Sequence, residues 1–291
     1  MNTASDFQLD HALIRRRFSA CADQVQTNDF LAREISSRMA ERLDYIRLEP
    51  KRMLDLGCGH GADLAMLATR YPQAAQIGLD FALPQLALAS PARSFMQRLL
   101  GQKPGPHFIC ADAHQLPLAR ASVQLVWSNL LLNWLSDPLP AIRECHRVLE
   151  VGGLFMFATL GPDTLKELRL AFDDESGRHV HRFIDMHDIG DCLVQAGFAD
   201  PVMDMQTLTL TYPDVKTLFH DLRAAAASTA STHRLRSLFG KTRWQSTLQR
   251  LEATRQAGRL PVTFELVFGH AWKAAPKTTE DGRAIIQFKP R

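Results

Sequence analysis

From residue 51 to residue 159, short apolar runs alternate with stretches of helical character, and this alternation restricts the possible folds more than any other feature. Parallel strands require a crossover of about a dozen residues, usually a helix, and such crossovers are right-handed. The alternation therefore predicts an α/β domain with a doubly wound, mostly parallel sheet. The predicted strands are 52–57, 75–81, 107–113, 123–132 and 154–160, and the predicted helices are 62–71, 83–100 with a break near Pro91, and 138–153.

The pattern changes after residue 160. Helices are predicted at 162–172 and 185–198, and strands at 201–212 and 262–274, with a long helical stretch between the two strands. We expect the last two strands to pair in antiparallel fashion, which gives a seven-stranded sheet. The predicted organisation is an N-terminal helical arm (1–49), an α/β core (50–212 and 261–275), a helical lid insertion (213–260) and a C-terminal tail (276–291).

Charge is distributed unevenly along the chain. Residues 213–260 contain nine Lys and Arg against three Asp and Glu, whereas residues 53–212 contain eleven against seventeen. The insertion is thus a basic segment attached to an acidic core, which favours an acidic partner. Only Phe239 and Trp244 are interleaved with its basic residues, so a nucleic-acid interface is not expected.

Composition argues against several classes of protein. No apolar run approaches the roughly 20 residues needed to span a membrane. The first residues lack the apolar segment of a signal peptide, and Asp6 and Asp10 are unusual in a transit peptide. The five cysteines are scattered without a CxxC pair, which predicts free thiols, no metal site and a cytoplasmic location. The histidines and aspartates at 179–188 have no ligand spacing, and Asp185 is predicted to cap the following helix.

A glycine-rich loop follows the first predicted strand. Residues 53–61 read MLDLGCGHG, so Gly57, Gly59 and Gly61 lie where a ligand binds in such folds, at the carboxyl end of the strand. The spacing is G-x-G-x-G, and residue 62 is alanine, so the loop differs from the dinucleotide fingerprint. This variant suits a ligand that packs against the backbone and has no pyrophosphate.

Two acidic residues follow the next strands. Asp80 ends the second predicted strand, where a carboxylate accepts hydrogen bonds from both ribose hydroxyls. Asp112 ends the third and can bind an exocyclic amino group. Together with the glycine loop they predict a nucleoside ligand with an amine-bearing tail and no phosphate, which is S-adenosylmethionine.

These residues, followed by WSNLLLNW (127–134) and LEVGG (149–153), resemble the class I S-adenosylmethionine-dependent methyltransferases over about residues 50–160. The resemblance implies their Rossmann-like fold and a product, S-adenosylhomocysteine. It also implies cofactor-binding residues, with the methionine portion at Asp55, Gly57, Gly59 and Gly61, the ribose at Asp80, the adenine at Asp112 and Ala113, and the sulfonium near Asn129.

A narrower resemblance covers residues 11–274. The strings GPDTLKELR (161–169), RFIDMHDIGDCLVQAGFADPVMDMQTLTLTY (182–212) and GRLPVTFELVFGHAWK (258–273) are similar to the malonyl-acyl-carrier-protein O-methyltransferases of biotin synthesis. They are also similar to a related mitochondrial complex I assembly factor. The first resemblance implies methyl transfer to the free carboxylate of a malonyl thioester on acyl carrier protein.

This reaction sets expectations for further residues. A carboxylate is ionised at pH 7, so it needs a cation to orient it rather than a base. Arg169 is the first candidate and Arg182 the second, and a solvated surface arginine is the alternative for each. The arm is expected to close over the cofactor with Phe18 inside, and Trp134 to form a pocket wall. Docking of the acidic carrier is assigned to the insertion, by Arg234, Arg236, Lys241 and Arg243, with a solvated face as the alternative.

The chain departs from this family at three places. Val25 replaces an aromatic residue of the arm, Asn133 replaces a glutamine or histidine, and residues 226–229 replace a G-A-x-N stretch. Two alternatives therefore stay open. One is a methyltransferase for another small carboxylate or a quinone-like acceptor, and the other is an assembly factor that binds a partner protein without methyl transfer.

Overall fold

The computed structural model describes residues 8–89, 105–173, 179–180 and 182–275. Its centre is a seven-stranded sheet, formed by β1 (Arg52–Leu56), β2 (Ala75–Asp80), β3 (His107–Cys110), β4 (Val123–Asn129), β5 (Leu149–Leu160), β6 (Ala199–Tyr212) and β7 (Leu260–Trp272). The strand order is β3-β2-β1-β4-β5-β7-β6. The first five strands are parallel, and β7 runs antiparallel to both β5 and β6. The predicted α/β fold with a mostly parallel sheet is confirmed.

Helices cover both faces of the sheet. They are α1 (His11–Ala20), α2 (Ala22–Thr27), α3 (Phe30–Arg42), α4 (Ala62–Arg70), α5 (Leu83–Ala89), α6 (Leu139–Val148), α7 (Lys166–Phe172), α8 (Met186–Gln195), α9 (Val215–Ala224) and α10 (Lys241–Ala253). Three of them precede β1, and α9 and α10 lie between β6 and β7. The predicted break near Pro91 and the helix beyond it lie outside the described residues.

The sheet has a hydrophobic layer on each face because side chains alternate along every strand. Met53 of β1 and Trp127 of β4 point into the layer that contains α3, whereas their neighbours Leu54 and Val126 point into the layer that contains α6. All four side chains are fully buried. Burial on both faces explains why the central strands read as continuous apolar runs rather than alternating ones.

Several predicted boundaries are wrong, and two of them lie at the ends of β4 and β5. The helix predicted to continue to residue 153 ends at Val148, and β5 already begins at Leu149 because its backbone pairs with Val123 of β4. β4 was predicted to reach residue 132 but ends at Asn129. There Leu130 adopts a φ of +60°, and residues Leu132–Trp134 form a 3-10 turn. The apolar run NLLLNW contributes to a buried turn, which periodicity alone does not distinguish from a strand.

The structure also bears on the predictions for the Asp185 cap, the cysteines and membrane spans. Asp185 caps α8, since its Oδ1 accepts a hydrogen bond of 2.8 Å from the backbone of His187, as predicted. All five cysteines are free, as predicted. In the part of the chain that is described, no helix combines the length and apolar character that a membrane span requires.

Strand order positions the site. The chain proceeds from β1 to β2 and β3 on one side and then returns to β4 and β5 on the other, so the order reverses between β1 and β4. At such a switch point the connections leave in opposite directions and open a crevice outside the carboxyl ends of the strands. The glycine loop follows β1 at this crevice.

Candidate active site

A cavity of about 650 Å³ opens at the carboxyl ends of the central strands. One part is lined by residues at or beyond the carboxyl ends of β1 to β4, and we call it the polar end: Asp55, Gly57, Gly59, Asp63, Asp80, Asp112, Ala113 and Asn129. The other part, the apolar end, is lined by α7, α9 and β6 with their neighbours: Leu165, Leu168, Phe172, Phe183, Leu210, Tyr212, Phe219, Leu222 and Phe264. Because β3 and β6 are opposite edges of the sheet, the two ends are spatially distinct.

The glycine loop owes its shape to backbone conformation. Gly57, Gly59 and Gly61 have φ values of +78°, +51° and +79°, in the region that favours glycine. The backbone amides of Gly57 and Cys58 both donate to the carbonyl oxygen of Leu79, at 2.7 and 3.0 Å. The loop therefore lies over the end of β2, and α4 begins directly after Gly61. The backbone of Gly57 and Gly59 lines the cavity.

Asp80 holds this loop through hydrogen bonds to backbone amides. Its Oδ2 accepts a hydrogen bond of 3.0 Å from the Gly59 amide, and its Oδ1 accepts one of 2.8 Å from the Ala82 amide. The residue is 9% exposed and lines the cavity, and burial raises the pKa of its carboxyl. Asp80 thus fixes the loop while it presents a carboxylate to a ligand, a double role that the sequence did not indicate.

Two further carboxyls lie beneath the loop. Asp55 is 1% exposed, and its Oδ2 has no hydrogen-bond partner among the described residues. Burial raises its pKa well above the usual value, and the charges of Asp63 and Asp80 raise it further. Asp63 accepts hydrogen bonds from Trp127 Nε1 at 2.8 Å and Asn129 Nδ2 at 3.1 Å, and burial raises its pKa as well.

The polar end therefore suits a cationic ligand. The buried carboxyls of Asp55, Asp63 and Asp80 converge on it. The oxygens Asp55 Oδ2 and Asn129 Oδ1 are buried without a partner in the described part of the chain. Within the same residues, no group of three or more His, Cys, Asp or Glu is placed to hold a metal ion. A sulfonium and an ammonium group fit this environment. Asp63 was not predicted, because an acidic residue in the first turn of a helix is ordinarily explained by the helix dipole.

Asp112 lies at the rim of the polar end. It is two residues beyond the end of β3 and not on the strand as predicted, and its side chain is 68% exposed. Its Oδ1 accepts a hydrogen bond of 2.8 Å from the His114 amide. Ala113 is buried beside it, and both residues line the cavity.

The arm covers the polar end. Phe18 of α1 packs edge-on against Trp134, with ring centroids 5.3 Å apart, and Gln85 Nε2 donates to the Phe18 carbonyl at 3.1 Å. Arg17 Nη1 donates to the carbonyls of Ser228 and Thr229, each at 2.7 Å. The arm is thus joined across the cavity to the segment that follows α9.

The predicted carboxylate-binding arginines lie elsewhere. Arg169 donates from Nη1 to the Pro162 carbonyl at 2.9 Å and from Nη2 to the Thr164 carbonyl at 3.1 Å. Neither Arg169 nor Arg182 is among the described residues that line the cavity. A role for Arg169 as carboxylate ligand would require its two bonds to backbone carbonyls to break.

The predicted docking residues divide into two groups. Arg234 is 19% exposed, and its Nη2 donates to Asp10 Oδ2 at 3.2 Å, so it joins the insertion to the arm. Arg236, Lys241 and Arg243 are exposed, as the prediction requires. Leu238, between them in the sequence, is 99% exposed. We call these four residues (Arg236, Leu238, Lys241 and Arg243) the basic patch.

The departure at 226–229 has a structural consequence. Helix α9 ends in a Schellman motif, in which Ala226 N donates to Arg223 O at 3.0 Å and Ala227 N to Leu222 O at 2.8 Å. Such a motif needs a left-handed residue at its C′ position, normally glycine, and here Ala226 has a φ of +55°. The alanine is therefore strained at a position where the resemblance implies glycine.

We expect Ala226→Gly to stabilise the protein by about 0.5–1 kcal/mol. Relief of the left-handed conformation gains about 1–2 kcal/mol, and the added freedom of the unfolded chain removes about 0.4–1 kcal/mol. Denaturant unfolding measures the difference. Ala225→Gly is the control, since Ala225 has a φ of −77° and should lose stability. A loss of stability in both variants would contradict the explanation.

Comparison with known proteins places this geometry in a family. A sequence model described as "Methyltransferase domain" matches residues 54–157. The chain is 48% identical over 287 residues to a malonyl-acyl-carrier-protein O-methyltransferase of Gallionella capsiferriformans, which covers 97% of this chain and 98% of that protein. The match to this relative extends through the arm and through the segment between β6 and β7.

Solved structures agree on the fold. YcgJ protein from Bacillus subtilis superposes with a TM-score of 0.55 at 17% identity, covering 82% of this chain and 98% of that chain. Phosphoethanolamine N-methyltransferase 2 of Haemonchus contortus, solved with S-adenosyl-L-methionine, gives 0.51 at 17% identity, covering 82% and 52%. The strand order, the glycine loop and the 48% identity over nearly the full length of the chain all agree. The chain therefore belongs to the malonyl-acyl-carrier-protein O-methyltransferases, within the class I S-adenosylmethionine-dependent methyltransferases.

Proposed function

We propose that this protein transfers a methyl group from S-adenosylmethionine to the free carboxylate of a malonyl thioester on acyl carrier protein. In the cytoplasm, this step would provide a precursor for biotin. The observation that carries the proposal is the 48% identity over 97% of the chain. The match includes α1, which covers the polar end, and α9, which lines the apolar end, and not only the core that all class I methyltransferases share.

The polar end supplies the residues for the cofactor. Asp80 would accept hydrogen bonds from the ribose, Ala113 would contact the adenine, and Asp55 with Asp63 would offset the positive charges of the methionine portion. When bound, the cofactor would supply an electrophilic methyl group on a sulfonium. The acceptor carboxylate oxygen would take this methyl group as the methyl–sulfur bond breaks, which would give a methyl ester and S-adenosylhomocysteine.

The protein's task in this reaction is placement rather than proton transfer. A carboxylate is already ionised at pH 7, so no base is required. Phe18 and Trp134 cover the polar end with apolar surface, which excludes water from the reacting groups. The apolar end offers space for the acyl group and the thioester arm that carries it.

The basic patch is the proposed docking surface for the carrier protein. Its three cations suit an acidic partner, and the exposed Leu238, between them in the sequence, adds an apolar contact. Arg234 is left out of this surface because it is held by Asp10.

Labelled methyl transfer tests the proposed function. The purified chain is incubated with methyl-labelled S-adenosylmethionine and malonyl-acyl carrier protein, with acetyl-acyl carrier protein as control. We expect label on the malonyl carrier alone, in a base-labile ester. Label on free dicarboxylic acids or quinones at equal rates would favour the other acceptor class. Cofactor binding without transfer, together with a stable protein complex, would favour the assembly-factor alternative.

Binding of S-adenosylmethionine should release protons. The pKa values of Asp55, Asp63 and Asp80 are raised, so at pH values above about 3.9 these carboxyls hold protons that the unfolded chain has lost. These carboxyls therefore make the folded state less stable as the pH rises from about 3.9 to their pKa values in the folded state. A bound cation favours the ionised carboxyls, and the affinity should therefore rise with pH until they are fully ionised.

Calorimetry in buffers of different ionisation enthalpy measures this release. S-adenosylhomocysteine, which lacks the sulfonium charge, should release fewer protons than S-adenosylmethionine. Asp55→Asn should reduce the release for both compounds. A binding enthalpy that does not depend on the buffer would contradict the prediction.

A further inference from the structure

The proposed acceptor is an anion, and the carboxyls of the polar end offer it no attraction. Asp55, Asp63 and Asp80 would pair with the cationic cofactor and cannot bind a second negative group. Recognition of a carboxylate therefore needs a cation whose N–H groups are available inside the cavity. An arginine suits this role best, because its guanidinium binds a carboxylate through two parallel hydrogen bonds.

Three arginines in the cavity wall are already engaged. Arg33 pairs with Asp29 through a contact of 2.7 Å between Nε and Oδ2. Arg234 pairs with Asp10. Arg17 holds the carbonyls of Ser228 and Thr229. Each of these side chains fixes the arm or the segment that covers the cavity.

Arg223 differs from these three. It lies in the last turn of α9, where it lines the cavity and is also exposed to solvent. Its guanidinium makes no hydrogen bond or ion pair with any described residue. Its Cζ atom lies 5.9 Å from the centroid of the Phe219 ring. An aromatic ring against one face of a guanidinium leaves the N–H groups at its edge available to a planar anion.

Tyr212 provides a second donor in the same region. It ends β6 and lines the cavity, and its hydroxyl makes no hydrogen bond within the described residues. Burial, with a smaller contribution from the charge of Asp221, raises its pKa to about 12. The phenol accordingly keeps its proton and can donate to an anion. Asp221 also lines the cavity, which adds to the need for a cation there.

We propose that Arg223 and Tyr212 bind the free carboxylate of the acceptor and thereby determine its selection. This inference rests on the proposed function and names residues for it in place of Arg169 and Arg182. Both residues line the cavity, Tyr212 at the end of β6 and Arg223 in the last turn of α9.

The test compares two carriers of nearly the same shape, one with a terminal carboxylate and one with a neutral terminal amide. Binding of malonyl-acyl carrier protein and of its amide analogue, malonamyl-acyl carrier protein, is measured in the presence of S-adenosylhomocysteine, which prevents turnover. The wild type should prefer the malonyl carrier by about tenfold or more. Arg223→Gln should reduce this ratio to about one, and Tyr212→Phe should reduce it several-fold. Arg223→Lys should give an intermediate ratio, because it keeps the charge and loses the two-pronged geometry.

Lys216→Gln is the matched control. Lys216 is exposed on the same helix and is not among the described residues that line the cavity, so the same loss of charge should leave the ratio unchanged. Methyl transfer by Arg223→Gln should fall by about 100-fold in kcat/KM, while the Kd for S-adenosylmethionine stays within twofold of the wild-type value. That unchanged Kd also shows that the variant is folded.

The outcomes separate the two proposals. If the wild type methylates malonyl-acyl carrier protein and Arg223→Gln weakens both carriers equally, Arg223 contacts the carrier or the phosphodiester of its arm, and the inference is wrong. An unchanged ratio in Arg223→Gln overturns it as well. If the wild type neither binds the malonyl carrier preferentially nor methylates it, the proposed function fails first, and the inference fails with it.

Discussion

Asp80→Ala is expected to weaken the binding of S-adenosylmethionine by at least about 100-fold. The variant loses the acceptor for the ribose hydroxyls, and hydrogen bonds to a charged group contribute about 1.5–3 kcal/mol each. It also loses the bonds to the amides of Gly59 and Ala82 that hold the glycine loop. Since 1.4 kcal/mol corresponds to a tenfold change, two lost bonds account for the expected effect. Isothermal titration calorimetry measures it.

Two controls separate charge from shape. Asp80→Asn keeps one acceptor oxygen and should bind the cofactor with an intermediate affinity. Asp191→Asn removes an exposed carboxylate from α8, away from the cavity, and should bind as the wild type does. Wild-type affinity in Asp80→Ala would show that the ribose is bound elsewhere and would remove the basis for placing the cofactor at the polar end.

Gly57→Ala is expected to impair both stability and cofactor binding. Alanine at a φ of +78° costs about 1–2 kcal/mol. Its Cβ would also lie 3.0 Å from Leu131 Cβ and 3.1 Å from Leu131 Cδ1, so the loop must shift. We expect a total loss of about 2–3 kcal/mol in the free energy of unfolding and at least a tenfold loss in cofactor affinity.

Gly152→Ala is the matched control. Gly152 has a φ of +80°, but a Cβ there would meet no atom within 4 Å. It should therefore show the conformational cost without the clash, and its cofactor affinity should equal that of the wild type. Equal losses of stability and affinity in the two variants would show that Leu131 does not constrain the loop.

The sequence was sufficient for the fold class and for most residues that line the polar end. Alternating strands and helices predict the sheet because that signal is local and is repeated several times along the chain. Asp55, Gly57, Asp80 and Ala113 all lie at or just beyond the carboxyl ends of neighbouring parallel strands, so strand ends in the sequence become cavity walls in the structure. The boundary of β4 was missed because a buried turn and a buried strand are equally apolar.

Asp63 and Arg223 illustrate what sequence patterns leave out. Each lies on a helix, where an acidic residue near the start or a basic residue near the end is already explained by the helix dipole. Their positions in the cavity wall follow from the packing of α4 and α9 against the sheet. A pattern within one helix contains no information about that packing.

The sequence by itself determined the family, the fold class and the loop that would hold the cofactor, since these can be recognised from short segments of the chain. Only the tertiary structure decided which arginine is available to an acceptor. Arg169 and Arg223 are both helical arginines in the sequence, but Arg169 is held by the backbone carbonyls of Pro162 and Thr164, whereas Arg223 faces the cavity. Availability of a charged group depends on every hydrogen bond it makes, and such bonds form only when the whole chain is folded.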